Sequence, residues 1–295
     1  MQQLEIRKAR PKDRDRVLAF CTHTWEWGDY IDRVWDDWLH DSQGQLFVAT
    51  INERPVGVGH LRMLNETEAW IEGLRVDPEY RQQGIATALN MAMLEEAIRR
   101  GAINARLLTE STNRGSIRIM ERIYMRQVGA FAPFRANPLA TTTKGRPSPE
   151  ATQLAANNDV DAIIDYLNAS NVFPAVGGLY YVGFTAYEIT AQLVEEKVAA
   201  EQVYLLRRWD RLDGLAIAEQ RDDRQGKCLS IGYIDGMTIE AISLVAHDLR
   251  SRLTSMSLES AYVYAPDLVL IRDGLTGIEY EWDGKVFYTY ERGLV

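Results

Sequence analysis

The chain has 295 residues, 46% of them hydrophobic, which is enough for two domains of about 150 residues, each with its own core. A formal net charge of −9 and a pI near 5.1 argue against a broad nucleic-acid-binding or anionic-membrane surface. No apolar run approaches the roughly 20 residues of a membrane helix, the first residues lack a secretion-signal pattern, and the two isolated cysteines, Cys21 and Cys228, suit a reducing cytoplasm.

Residues 4–9 alternate as a first strand, and Pro11 and Asp13 open a helix through Val17, Leu18 and Phe20. A second helix carries Ile31, Val34, Trp35 and Trp38 at helical spacing, a stripe expected to face the core. Trp25, Trp27, Asp29 and Tyr30 precede the regular part of that helix and are free to line a pocket. Residues 46–51 and 56–63 read as a hairpin about the turn at 52–55, in which Gly57 and Gly59 mark a bulge or close packing. Residues 69–76 form the next strand. The histidines His23, His40, His60 and His247 are scattered without ligand spacing, so no metal site is expected.

The strand ends at Val76, where Pro78 keeps Asp77 out of helical angles. A polar loop then leads into a helix with Ala86, Leu89, Met93 and Ala97 on one face and Gly101 as its stop. Glu95 and Glu96 stand four residues before Arg99 and Arg100 on this helix. Gly84 removes a side chain at the helix start, where unpaired N–H groups and the positive end of the dipole suit an anion. Arg81 adds a cation beside it. The stretch therefore predicts a diphosphate cradle built mainly from backbone. Without a following Gly-Lys-Ser/Thr it is not a nucleotide-hydrolase loop, and one glycine does not make the dinucleotide fingerprint.

Arg81-Gln82-Gln83-Gly84-Ile85-Ala86 resembles the Arg/Gln-x-x-Gly-x-Gly/Ala signature of the GNAT N-acetyltransferase superfamily. The resemblance implies a mixed, mostly antiparallel central sheet flanked by helices, an α/β fold, with acetyl-CoA as cosubstrate. Its pyrophosphate would lie on Arg81, Gln82, Gln83, Gly84, Ile85, Ala86 and Thr87, and its acetyl and pantetheine groups on the backbone of Leu74, Arg75 and Val76.

Beyond that helix, residues 105–109 form a strand, and Asn113 starts a helix in which Arg114, Arg118, Arg122 and Arg126 recur every four residues. Such a stripe is either a solvated face or a reach toward a CoA phosphate. Residues 128–135 close the unit. The resemblance covers residues 1–140, and the Pro-, Gly- and Thr-rich segment 141–150 reads as a linker. Residues 151–295 repeat the plan: helices near 159–167 and 187–199, a hairpin of 203–208 with 215–218, a strand at 229–234 and a helix at 239–253. A strand at 262–264 and a terminal pair of 278–282 with 286–290 complete it. This looks like a second GNAT-type domain without the signature, since Asp235-Gly236-Met237-Thr238-Ile239 stands at the loop.

The implied activity is transfer of an acetyl group to a primary amine, with a non-catalytic acyl-CoA-binding sensor as the alternative. In the family a carboxylate in the strand before the loop commonly takes the amine proton, and Glu72 is at that place, where it could also be a half-exposed ion-pair partner. Asn113 matches the residue that hydrogen-bonds the pantetheine arm. The tyrosine seven residues on, which donates a proton to the leaving thiolate in many members, is replaced by Met120; Tyr124, one turn further, is either the substitute acid or core. Trp25, Trp27, Asp29 and Tyr30 combine aromatic faces with a carboxylate and suit a small-molecule or peptide amine. The second domain would shape that acceptor site or an oligomer contact such as a homodimer, and neither nucleic acid nor membrane is an expected partner.

Overall fold

A computed structural model describes residues 3–24, 28–139, 151–209, 211–223 and 226–294. The expected linker, 141–150, lies outside these residues. Two compact units emerge, one of residues up to Gln127 together with those from Tyr290 on, the other of Val128–Thr289.

In the first unit the elements are β1 (Leu4–Lys8), α1 (Arg14–Cys21), α2 (Ile31–Leu39), β2 (Gly44–Ile51), β3 (Arg54–Met63), β4 (Glu68–Val76), α3 (Ile85–Arg99), β5 (Asn104–Glu110) and α4 (Arg114–Arg122). Strands β1 to β4 pair antiparallel in sequence order, and β5 joins β4 in parallel. The core stripe behaves as the spacing predicts at Ile31 and Trp35, which are buried with Val17, Leu46, Val48 and Val58. Gly57 and Gly59 sit where α3 crosses the sheet: a Cβ there would come within 2.9 Å of Leu89 Cδ1 and of Met93 Cε. Both glycines therefore admit the helix.

The second unit holds β6 (Arg126–Ala136) from Val128 on, β7 (Gln153–Leu154), α5 (Val160–Ala169), α6 (Val172–Ala175), β8 (Leu179–Val182), β9 (Thr185–Glu188), α7 (Ala191–Ala199), β10 (Val203–Arg208), β11 (Arg211–Asp223), β12 (Gly226–Gly236), α8 (Ile239–Arg252), β13 (Ser260–Pro266), α9 (Val269–Thr276), β14 (Glu281–Trp282) and the start of β15 (Phe287–Gly293), whose residues from Tyr290 on belong to the first unit. Its order repeats the first: antiparallel β10, β11 and β12, then β13 parallel to β12 across α8. Two expectations fail locally. The helix read over 187–199 begins only at Ala191, because Thr190 accepts from the Leu193 amide at 3.1 Å and caps it, leaving 185–188 as strand. The terminal pair does not form either, since β14 pairs with β6.

The units also divide elsewhere than at 140. Strand β6, which opens at Arg126 and so takes that arginine out of the helical stripe, runs antiparallel to β13 from Ala136 opposite Ala261 to Phe131 opposite Pro266. The strand that completes the first unit comes instead from the far end of the sequence. Leu294 donates to the Ile103 carbonyl at 2.8 Å, and Arg106 Nε meets Glu291 at 2.8 Å. Arg106 is 3% exposed and also pairs with Glu68. Replacing it leaves two carboxylates facing each other in the interior. Arg106→Met should lower stability by about 3–5 kcal/mol, read from the midpoint of urea unfolding.

Candidate active site

Strands β4 and β5 pair only from Glu68 opposite Asn104 to Trp70 opposite Arg106, although both run on. Beyond Trp70, β4 has no strand on that side among the described residues. On its other side a bulge interrupts the ladder with β3: Arg75 faces Val58 and Glu72 faces His60, so Gly73 and Leu74 stand opposite Gly59 alone. Gly73 takes φ +68°, and a Cβ on it would lie 2.5 Å from the Trp38 ring. Only glycine satisfies both demands.

The turn after β4 forms as Pro78 dictates. Asp77 is extended, caps the turn Pro78–Tyr80 through the Glu79 amide at 3.1 Å, and is held by Arg16. Residues 81–84 are exposed, with Gln82 at φ 63° and Gly84 at φ 80°. Gly84 is the N-cap of α3. Ala88 donates to its carbonyl at 3.0 Å, and no side chain caps the helix. The amides of Ile85, Ala86 and Thr87 thus precede the first intrahelical bond, beside open space at Gly84. Arg81 is exposed and bonds Val76 O through Nε at 3.4 Å. A left-handed residue followed by a helical one turns successive N–H groups to one side, a geometry that receives anions.

Glu72, half-buried on β4, accepts from or shares a proton with His60 Nδ1 at 3.1 Å; on the other ring nitrogen, Nε2, His60 faces Asp41 Oδ2 at 3.3 Å. Trp38 stacks on the imidazole at 4.5 Å and 6°. The two carboxylates lie on opposite edges of the ring, which is not the convergence a metal needs, and no metal cluster occurs among the described residues.

Residues 16–124 match the Acetyltransferase (GNAT) family. The chain carries a GNAT-family domain. Acyl transfer is the chemistry of that family. Similar solved structures include a proposed acetyltransferase from Thermoplasma acidophilum, at 16% identity over 98% of this chain and 99% of that one with a TM-score of 0.58. A GCN5-related N-acetyltransferase from Sphaerobacter thermophilus has 11% identity over 99% and 96%, with a TM-score of 0.60. Another from Kribbella flavida has 16% identity over 99% and 71%, with a TM-score of 0.51. At these identities the likeness is one of fold. No curated protein matches the chain.

Within the GNAT domain several sequence-derived residues land elsewhere than expected. Trp25 and Trp27 lie outside the described residues. Asp29 is 4% exposed in its side chain; it binds Arg75 Nε at 2.7 Å and accepts from the amides of Tyr30 and Ile31 at 2.7 and 3.2 Å. It is therefore committed to anchoring α2 to β4 rather than free for an amine. The Arg75 guanidinium lies 5.3 Å over the Tyr30 ring, and burial pushes the Tyr30 hydroxyl above its ordinary range. Beside Asp29 a cleft of about 280 Å³ opens between α1 and α2, lined by Leu18, Cys21, Asp32 and Arg33. Burial drives the Cys21 thiol up to about 12, so it stays an inert thiol. Asn113 caps α4 by accepting from the Ser116 amide at 3.1 Å, which leaves its amide nitrogen as the group able to meet a ligand. Arg114, Arg118 and Arg122 are exposed.

Tyr124 is the clearest correction. It lies beyond the end of α4, 83% exposed, while Met120 is wholly buried. The Met125 amide bonds the Met120 carbonyl at 2.9 Å and the Tyr124 amide bonds the Glu121 carbonyl at 3.2 Å, with Tyr124 at φ 57°. This is a Schellman stop with a tyrosine at the left-handed position usually given to glycine. The residue is neither core nor aligned with the inner face of α4. Sequence reading also missed His60, although a signal existed: counting back from the turn at 64–67 places residue 60 opposite 72. Tyr124→Gly should raise stability by about 0.5–1 kcal/mol in urea unfolding and leave turnover unchanged.

Proposed function

We propose that the first unit transfers an acetyl group from acetyl-CoA to a primary amine. The observation that carries this reading is the uncapped start of α3 behind left-handed Gly84, where three amides and the dipole face open space next to Arg81. These groups suit a diphosphate. The edge of β4 beyond Trp70, where β5 no longer pairs with it, suits an extended amide-bearing arm, and backbone N–H groups aimed at a developing oxyanion can contribute roughly 3 kcal/mol. Acetyl-CoA supplies the thioester; the rest is the work of side chains.

An alkylammonium has a pKa of about 10, so the amine must lose a proton before it attacks. Glu72 is the acceptor of that proton. It is half-buried in the strand that carries that edge, and the aromatic faces of Trp38 and Tyr30 stand T-shaped 6.0 Å apart beside Arg75 and His60. Because Met120 is buried and Tyr124 faces solvent, water protonates the leaving thiolate. The acceptor is a small molecule or a peptide amine.

One site per chain follows from the second unit, which we read as a second GNAT-type fold without a cofactor loop. Only Met237 and Thr238 separate β12 from α8, and Thr238 caps the helix by accepting from the Ala241 amide at 3.1 Å. Asp235, at the end of β12 before that turn, points inward. It is 1% exposed and accepts from Ser170 and Tyr233 at 2.6 and 2.7 Å, and burial raises its pKa. The Thr238 side chain thus occupies the Ala241 amide, and among the described residues neither an Arg81-like cation nor a left-handed glycine stands at this helix start.

The lack of a hydroxyl on the inner face of α4 is the one observation that favours a non-catalytic acyl-CoA sensor. Screening amines for release of CoA thiol separates the two, since a sensor binds acetyl-CoA and releases none. Gly84→Asp should weaken acetyl-CoA at least ten-fold, about 1.4 kcal/mol, in calorimetry, and wild-type titration should give a stoichiometry near one. Unchanged affinity in a folded variant would remove the cradle. Glu72→Gln should depress turnover at neutral pH with cofactor affinity nearly intact. Its deficit should shrink as pH rises toward the amine pKa, where free amine needs no base; equal turnover from pH 6 to 9 would exclude Glu72.

A further inference from the structure

His60 is wholly buried, yet two carboxylates from different segments meet its two nitrogens: Glu72 of β4 at 3.1 Å and Asp41, ahead of β2, at 3.3 Å. We propose that His60 is the positioning residue of Glu72, donating Nδ1–H to Oε1 so that Oε2 is turned to the acceptor amine. The inference rests on the transferase reading above.

Three features fix the ring. Trp38 lies parallel to it at 4.5 Å, and Trp38 is itself seated on Gly73, where no side chain fits. Gly44 makes room for Asp41: a Cβ there would stand 2.2 Å from Asp41 Oδ2 and 2.7 Å from His60 Nε2. Asp41 Oδ2 stands 3.3 Å from Nε2 without making a hydrogen bond to it, so Asp41 fixes the ring by position and the bond the imidazole donates is the one from Nδ1 to Glu72. An apolar residue would fill the place of His60 without desolvating an imidazole and two carboxylates. The arrangement instead constrains one oxygen of Glu72 from behind, while Oε2 makes no hydrogen bond among the described residues. A base fixed through one oxygen presents the other in a single direction, which is where a small misplacement becomes a large loss of rate.

The test compares His60→Leu, His60→Asn and Asp41→Asn with Glu72→Gln, each checked for folding by its acetyl-CoA affinity. His60→Leu should lower kcat on the order of ten- to a hundred-fold with KM for acetyl-CoA unchanged. His60→Asn, whose amide nitrogen can stand near the Nδ1 position, should recover most of that loss. Asp41→Asn should fall between wild type and His60→Leu. Adding His60→Leu to Glu72→Gln should lower kcat no further, because the histidine acts only through the carboxylate. Additive losses, or wild-type kcat in His60→Leu, overturn the proposal. Should His60→Leu not fold, the histidine ¹H–¹⁵N spectrum of the wild type decides: a protonated Nδ1 that shifts in Glu72→Gln is expected, and an unprotonated Nδ1 overturns it. A protein that binds acetyl-CoA, acetylates no amine and shows the protonated Nδ1 would sink the transferase reading while leaving the His60–Glu72 bond in place.

Discussion

Beyond Trp70, strand β4 cannot satisfy its backbone on both sides. A strand edge with unpaired amides and carbonyls is tolerated only where water or a ligand reaches it, and every neighbour of β4 is arranged around that requirement. Gly73 bulges toward the side of Trp38. The carbonyls of Leu74 and Val76 accept from the side chains of Arg75 and Arg81. Gly57 and Gly59 let α3 lie close behind, which brings its free N-terminus to the end of the same strand. Extended ligands that add to a sheet edge gain their affinity from main-chain bonds, and a terminal diphosphate on a helix start completes such a ligand.

Electrostatics near this edge work by neutralisation. The chain is acidic, and among the described residues the cations closest to β4 are already paired: Arg75 with Asp29, Arg16 with Asp77, and Arg106 with Glu68 and Glu291. Buried pairs of this kind add little net stability but are severely disrupted when one partner is lost. They hold α1, α2 and β5 against β4. What stays available to an anion is backbone, the helix dipole and exposed Arg81. The second unit closes the same opening. A Cβ on Gly232 of β12 would lie 2.1 Å from the Tyr181 carbonyl, so β8 covers the place that Trp38 covers over Gly73.

The cradle was legible in the sequence because every constraint in it is local: Pro78, Gly84 and the α3 stripe act within a few residues. Most of β1 to β5 was legible for the same reason, through alternation and turns. His60 was not, although its place opposite Glu72 follows from hairpin register, because its role depends on Asp41 arriving from another segment. Asp29 misled because a carboxylate among aromatics reads alike whether it awaits an amine or binds Arg75. Tyr124 misled because four-residue spacing assumes the helix continues, whereas α4 stops at Arg122. The division at Gln127 was invisible, since β6 reads equally well as a strand of either unit and only its partner β13 decides.

The exchange of closing strands has a consequence for the order in which this chain can fold as it is made. Strand β5 emerges early, but the residues from Tyr290 on that pair beside it are translated only after the whole second unit. At roughly 5–20 residues per second the first unit waits on the order of ten seconds or more with Arg106 lacking Glu291. The second unit, which already has β6, can finish first. The unit that carries the cradle is thus the last to be completed, and a nascent chain cut short anywhere before Tyr290 would display the loop without the strand that stabilises the sheet behind it.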